Sequence, residues 1–201
     1  MLKIEILEMS RPFSAVTYLI SSNGEYAVID PTTPYNPEYC DAADVKYILL
    51  THCHFDHIFD VQSWVDATGA EVIISEHEVD ALKDPYRNCY LFYNRTQDGY
   101  FGEATGIKEG DILPLGDTQL RFMECPGHTL GSGSYLCEQF AFVGDTIFKG
   151  GAQGRVDLPT GSQAMINDSI AKLAGLPDNT IVYPGHGEFT TIKQYKLDRG
   201  I

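Results

Sequence analysis

The chain is poor in the features that mark several protein classes. Its five cysteines, at 40, 53, 89, 125 and 137, are odd in number and scattered, with no C-x-x-C pair. That excludes a disulfide framework and a thiolate zinc cluster, and reduced thiols are expected. No apolar run approaches membrane-spanning length, so no membrane partner is expected. Basic residues are scarce: 14 Lys and Arg stand against 28 Asp and Glu, a formal charge of −14 with no basic run. Attraction to a phosphate backbone is therefore not expected, and nucleic acid is excluded as a partner. The start, Met1-Leu2-Lys3-Ile4-Glu5, alternates apolar and charged residues as a strand does, unlike the apolar core of a signal peptide. Cytoplasm is the expected compartment.

What is present suits one globular unit. The 201 residues are 43% apolar and 21% charged, values that fit a single domain over 1–201 and leave no room for a second. Short strand patterns fall at residues 2–7, 15–20 and 26–29, with a turn at Asn23-Gly24 and a stop at Asp30-Pro31. Residues 45–50 are an apolar run interrupted by Lys46, read as a strand buried on both faces, and it ends at Thr51-His52. An amphipathic segment at 58–67 predicts a helix stopped by Gly69, and 71–74 predicts the next strand. Further strands are expected at 111–115, 119–124, 134–136, 140–143 and 180–183, with a helix at 162–173. Residues 86–101 are rich in Tyr and Phe and follow no clean period. The order of elements in two halves predicts an α/β fold of two mixed sheets packed face to face, with helices outside.

The densest chemical signal is Thr51-His52-Cys53-His54-Phe55-Asp56-His57, directly after the buried strand. Three imidazoles and a carboxylate within six positions suit a metal-binding loop better than a solvated turn. In an extended loop His52 and His54 point the same way and can grip one ion, while Asp56 and His57 turn to another. This donor set suits zinc, with iron or manganese as alternatives. The remaining ligands are expected from other strand ends. His128 in Pro126-Gly127-His128-Thr129, Asp145 in Gly144-Asp145-Thr146 and His186 in Pro184-Gly185-His186-Gly187 each follow an apolar run and adjoin glycine. His77, in Glu76-His77-Glu78, reads as an exposed residue of an acidic helix start. Cys53 points away from the ligands, and Asp60 reads either as a support of the loop or as a helix-start carboxylate.

Together the His-x-His-x-Asp-His loop, Gly-His-Thr, Gly-Asp-Thr and Pro-Gly-His-Gly segments, in this order, resemble the metallo-β-lactamase superfamily over nearly the whole chain. The resemblance implies a four-layer αββα sandwich. It also implies that His52, His54 and His128 hold a first metal, Asp56, His57 and His186 a second, and that Asp145 bridges them. Gly144-Asp145-Thr146-Ile147-Phe148, Gly154-Arg155 and Asp157-Leu158-Pro159 are most similar to the short bacterial members of the glyoxalase II group. These imply a dinuclear, zinc-type hydrolase of small-molecule thioesters or esters, with Asp56 and Asp145 catalytic and Arg155 on a substrate carboxylate. β-Lactamases of this fold carry arginine or cysteine at some second-metal positions, which disfavours antibiotic hydrolysis. The alternative is the persulfide dioxygenase branch, which shares Gly-Arg-x-Asp and uses a single iron. Tyr90, Phe92, Tyr93, Tyr100 and Phe101 are expected either to wall the acyl group or to pack the core.

Overall fold

A computed structural model describes residues 1–7, 13–93 and 100–201. Six strands form the first sheet in the order β1 (Lys3–Leu7), β2 (Thr17–Ser22), β3 (Glu25–Ile29), β4 (Val45–Leu49), β5 (Glu71–Ser75) and β6 (Thr105–Ile107). The first three pair antiparallel, and β3 to β6 run parallel. The second sheet comprises β7 (Ile112–Leu115), β8 (Thr118–Glu124), β9 (Gly133–Cys137), β10 (Phe140–Gly144), β13 (Ile181–Pro184) and β14 (Thr190–Thr191). Its spatial order is β14-β13-β10-β9-β8-β7, and β10 and β13 are its parallel pair. A small antiparallel ribbon of β11 (Ile147–Phe148) and β12 (Ala152–Gln153) follows β10 along the chain. Among the described residues there are three α-helices, α1 (Val61–Thr68), α2 (Gln163–Ala174) and α3 (Ile192–Arg199).

Three apolar clusters show how these elements stack. Tyr18, Ile20, Ile29, Leu49 and Ile73 of the first sheet meet Leu115, Leu120, Phe122, Tyr135 and Phe142 of the second, which is the layer between the sheets. Trp64 and Val61 of α1 pack with Val28, Ile48, Val72 and Ile74 on the outer face of the first sheet. Ile166, Ile170 and Leu173 of α2, with Ile192 and Tyr195 of α3, cover Ala141, Val143 and Val182 on the outer face of the second. The result is the expected αββα sandwich, because each strand of the two sheets alternates between an inter-sheet and a helix-facing side.

Most expected elements stand within a few residues of their sequence positions. The helix expected at 58–67 begins three residues later, since His57 N–H and Ile58 N–H close tight turns on His54 and Phe55 before α1 starts. Ser162 caps α2 through Met165 N–H. Strands β6, β11, β12 and β14 and helix α3 are not among the expected elements. β6 has only three residues and takes its place from parallel pairing with β5, while the charged sequence of α3 hides the two apolar contacts it makes. Within the aromatic stretch 86–101, residues 94–99 lie outside the described residues.

Candidate metal centre

Parallel strand pairs deliver loops side by side at their carboxyl ends, and the β3–β4 and β10–β13 pairs do so at the same edge of the sandwich. In the first sheet, Asp30 directly follows β3 and β4 leads into the loop from His52 to His57. In the second, Asp145 directly follows β10 and His186 lies two residues past β13, brought level by the pairing of Gly144 with Pro184. His128 follows β8. Gly185 carries the closest approach: a Cβ there would lie 2.2 Å from Asp145 Oδ1 and 2.6 Å from His57 Cε1, so only glycine lets β13 deliver His186 to this place.

The seven side chains singled out by sequence converge. His52, His54 and His128 offer ligand atoms within 4.8 Å of one another, and so do Asp56, His57 and His186, and His52, His57 and Asp145. His54 Nδ1 lies 2.9 Å from His128 Nε2. Asp145 stands between the two triads, its Oδ1 3.3 Å from His57 Nε2 and its Oδ2 3.6 Å from both His128 Nε2 and His186 Nε2. Asp56 Oδ2 is 3.3 Å from His186 Nε2. His186 is the most exposed of the set, with its side chain 34% accessible, whereas His52, His54, His57 and His128 are buried.

Three imidazoles are oriented from behind. His128 Nδ1 donates to the Arg155 carbonyl at 2.8 Å. His57 Nδ1 meets Asp30 Oδ2 at 2.8 Å. Thr51 Oγ1 donates to Asp30 Oδ2 at 2.7 Å, so at 3.1 Å it accepts from His52 Nδ1. For His52 and His128 this leaves an Nε2 lone pair toward the centre, the tautomer a metal requires, and for His57 the Asp30 carboxylate keeps a proton on Nδ1, so that Nε2 is the nitrogen that would serve a metal.

Those inward atoms test the fit of a cation. The Nε2 atoms of His52 and His57 and Oδ1 of Asp145 are buried and lack a hydrogen-bond partner, while His54 presents Nδ1 to His128. Leaving one such group unsatisfied costs about 1–3 kcal/mol, and their concentration at one point suits cation ligands. Ionisation agrees with this. Burial holds His52 well below its ordinary value, helped by the neighbouring imidazoles, and pushes His54 down to about 3, so both are neutral. Burial works to raise Asp56 and Asp145, yet the surrounding histidines hold both carboxylates below their usual range. Burial also works to lower His57, but Asp30 and Asp145 more than reverse it, so in the absence of a cation His57 carries a proton where an ion would sit.

Other expectations resolve unevenly. Cys53 is buried with its Sγ toward the Arg87 carbonyl, and all five cysteines are free thiols. His77 is exposed and outside the cluster, and Asp60 is a buried residue preceding α1. Tyr90 and Tyr100 belong to the core beneath the first sheet, while Phe92, Tyr93 and Phe101 are about half exposed. The Tyr93 ring sits 4.6 Å from that of Phe55, which lies between His54 and Asp56. Arg155 reaches the rim of the centre through its carbonyl, but its guanidinium is engaged by Asp157 in two 2.7 Å bonds. Asp30 and Thr51 were missed as functional residues. A carboxylate at the end of the strand beside the motif strand was the signal available.

Two stacked mixed sheets with paired His/Asp triads at one edge define a metal-binding αββα sandwich. The chain belongs to the metallo-beta-lactamase superfamily, whose family model matches residues 10–186. It is 32% identical over 157 residues to hydroxyacylglutathione hydrolase GloC of Haemophilus influenzae, covering 76% of this chain and 74% of that one. It is 36% identical over 143 residues to a beta-lactamase hydrolase-like protein of Xylella fastidiosa, 71% of this chain but 33% of the relative, so it spans about a third of that protein's length. Among solved structures, BLEG-1 B3 metallo-beta-lactamase superposes with a TM-score of 0.84 at 29% identity, covering 98% of this chain and 97% of the other. TTHA1623 in a di-iron-bound form superposes with a TM-score of 0.78 at 26% identity, covering 94% and 96%. No helix among the described residues is long and apolar enough to cross a membrane.

Proposed function

We propose that the chain is a single-domain, glyoxalase II-like thioesterase that hydrolyses a small acyl thioester at a centre of two divalent cations, with zinc the first candidate. The observation that carries this reading is the pair of triads flanking Asp145, with inward nitrogens left without protein partners. His52, His54 and His128 would hold one ion and Asp56, His57 and His186 the other, with Asp145 between them. Similarity to GloC supports a thioester substrate, and similarity to a di-iron-bound structure supports two ions. When bound, such ions acidify water to a pKa of about 7 and polarise a carbonyl.

The protein's own part is orientation and charge. Asp56, ionised and at the open side of the site, accepts a hydrogen bond from the attacking water. His57 would offer Nε2 to an ion while Asp30 holds the proton on its Nδ1. The thiol arm departs on the side of His186, where the site meets solvent. Tyr93 and Phe92 border the acyl arm, and Arg155 faces a substrate carboxylate once released from Asp157.

The test measures thiol release from S-lactoylglutathione and from a coenzyme A thioester, hydrolysis of a chromogenic cephalosporin, and oxygen uptake on glutathione persulfide. Thiol release is expected, abolished by a chelator and lowered more than about 100-fold by Asp145→Asn. Bound iron at one per chain with oxygen uptake contradicts the reading, as does a cephalosporin turned over faster than either thioester.

A further inference from the structure

Glu78 stands just after β5, between exposed His77 and partly exposed Val79, yet is itself 1% exposed. The turn that tucks it inward is closed by Glu78 N–H on the Ser75 carbonyl and Ala81 N–H on the Glu78 carbonyl. Its two oxygens serve two different loops. Oε2 accepts Cys53 N–H at 3.0 Å, and Oε1 accepts Gly131 N–H at 2.9 Å. Cys53 lies between His52 and His54, and Gly131 is three residues beyond His128. One carboxylate therefore spans the ligand loop of the first sheet and the ligand loop of the second.

Two further features make this contact specific. A Cβ on Gly131 would fall 2.5 Å from Glu78 Cγ and 2.9 Å from His77 Cβ, so the approach depends on glycine. The same two segments also meet nearer the strands, where Gly133 N–H donates to the Thr51 carbonyl at 2.9 Å. That bond ties the segments at the strand ends, and the 2.9 Å approach of His54 Nδ1 to His128 Nε2 joins them only through the ligand rings themselves. Glu78 ties the two loop backbones at the ligand positions. The second triad has anchors elsewhere: His57 Nδ1 rests on Asp30, Ala15 N–H holds the Asp56 carbonyl, and His186 hangs from β13.

We propose that Glu78 is a positioning residue that locks the His52/His54 loop to the His128 loop and so sets the ligand spacing of the first triad, not of the second. This rests on the metal-centre reading but not on the reaction, and its test reads ion binding alone. Glu78→Gln keeps the shape, loses one acceptor and turns an amide N–H toward a backbone N–H. Each triad is isolated by a background substitution: His186→Ala leaves the first intact, and His54→Ala leaves the second. Cobalt(II) is titrated into metal-free protein against a competing chelator, with the d–d absorption bands and the melting curve of the metal-free form recorded alongside.

In the His186→Ala background, Glu78→Gln is expected to weaken cobalt binding roughly 10–100-fold and to change the d–d bands, as loss of an outer ligand support does. In the His54→Ala background, affinity is expected to stay within about threefold. Gly131→Ala, which keeps the carboxylate but forces the loops apart, is expected to repeat this pattern and decides the matter if the glutamine variant does not fold. Equal losses in both backgrounds, or no loss in the His186→Ala background, overturn the proposal.

Discussion

Replacing Asp30 by asparagine probes the charge behind His57 with the least disturbance of shape. Asp30 is 1% exposed and its backbone is left-handed, with φ 48°, a conformation that asparagine also tolerates. Its Oδ1 accepts Thr51 N–H at 2.8 Å, and its Oδ2 accepts Thr51 Oγ1–H at 2.7 Å and faces His57 Nδ1 at 2.8 Å. An asparagine that keeps the first bond presents its NH2 to the hydroxyl and the ring. The hydroxyl can turn and accept, but His57 can accept only by moving its ring proton to Nε2, the atom 3.3 Å from Asp145. The metal-facing lone pair is thereby lost in the preferred tautomer. Outer partners of this type are worth about 10–100-fold in metal affinity, or roughly 1.4–2.7 kcal/mol. Losing charge-assisted hydrogen bonds costs the metal-free fold about 1.5–3 kcal/mol before the amide's own bonds are counted. Chelator-competition titration of both ions, with urea unfolding of the metal-free protein, measures both effects. The affinity loss is expected in the triad of Asp56, His57 and His186, and unchanged affinity at both triads refutes the tautomer argument.

Three other outcomes follow from the geometry. Gly185→Ala drives a methyl group into Asp145 and His57, and is expected to lower activity and metal content together while leaving circular dichroism unchanged; full metal content contradicts the close approach. For the metal-free protein the sign of the pH dependence follows from His52 and His54, whose folded values lie below the ordinary 6.5. Their neutral burial stabilises the fold fully above about pH 6.5 and less as pH falls below it, while His57, raised in the fold, contributes stability that is full below that pH and lost as pH rises through its folded value. Two groups outweigh one, so the urea midpoint is expected to drop between pH 7 and pH 5, and a flat or rising profile contradicts this. Asp157→Asn frees the Arg155 fork and is expected to lower KM about twofold to fivefold for a carboxylate-bearing thioester, with kcat unchanged; equal effects on an uncharged thioester contradict the assignment.

The centre was legible where chemistry was concentrated along the chain. Three histidines and an aspartate within six residues have few structural explanations, and His128, Asp145 and His186 each stand at a strand end beside glycine, so the strand pattern itself pointed to them. Asp30 and Glu78 carried no such signal. Asp30 precedes proline and looks like any turn residue, because only the parallel pairing of β3 with β4 places it behind His57. Glu78 sits in an acidic run whose other members are exposed, and its burial depends on two N–H groups 25 and 53 residues away. Arg155 was legible as a basic residue near the site, but not as half of an ion pair with Asp157, since an i to i+2 contact requires a loop conformation that no periodicity encodes. The split of the aromatic residues into core and rim has the same origin: with no clean period between 86 and 101, burial is decided by tertiary packing alone.

The central claim is that seven side chains from four strand ends share a pair of cations across Asp145. Anomalous diffraction from crystals of the zinc-loaded protein, collected on both sides of the zinc absorption edge, tests it most directly. The account predicts two peaks roughly 3.5–4 Å apart, one within bonding distance of His52, His54 and His128, the other of Asp56, His57 and His186, with Asp145 touching both. A single peak, or a second one bound away from His57 and His186, contradicts it.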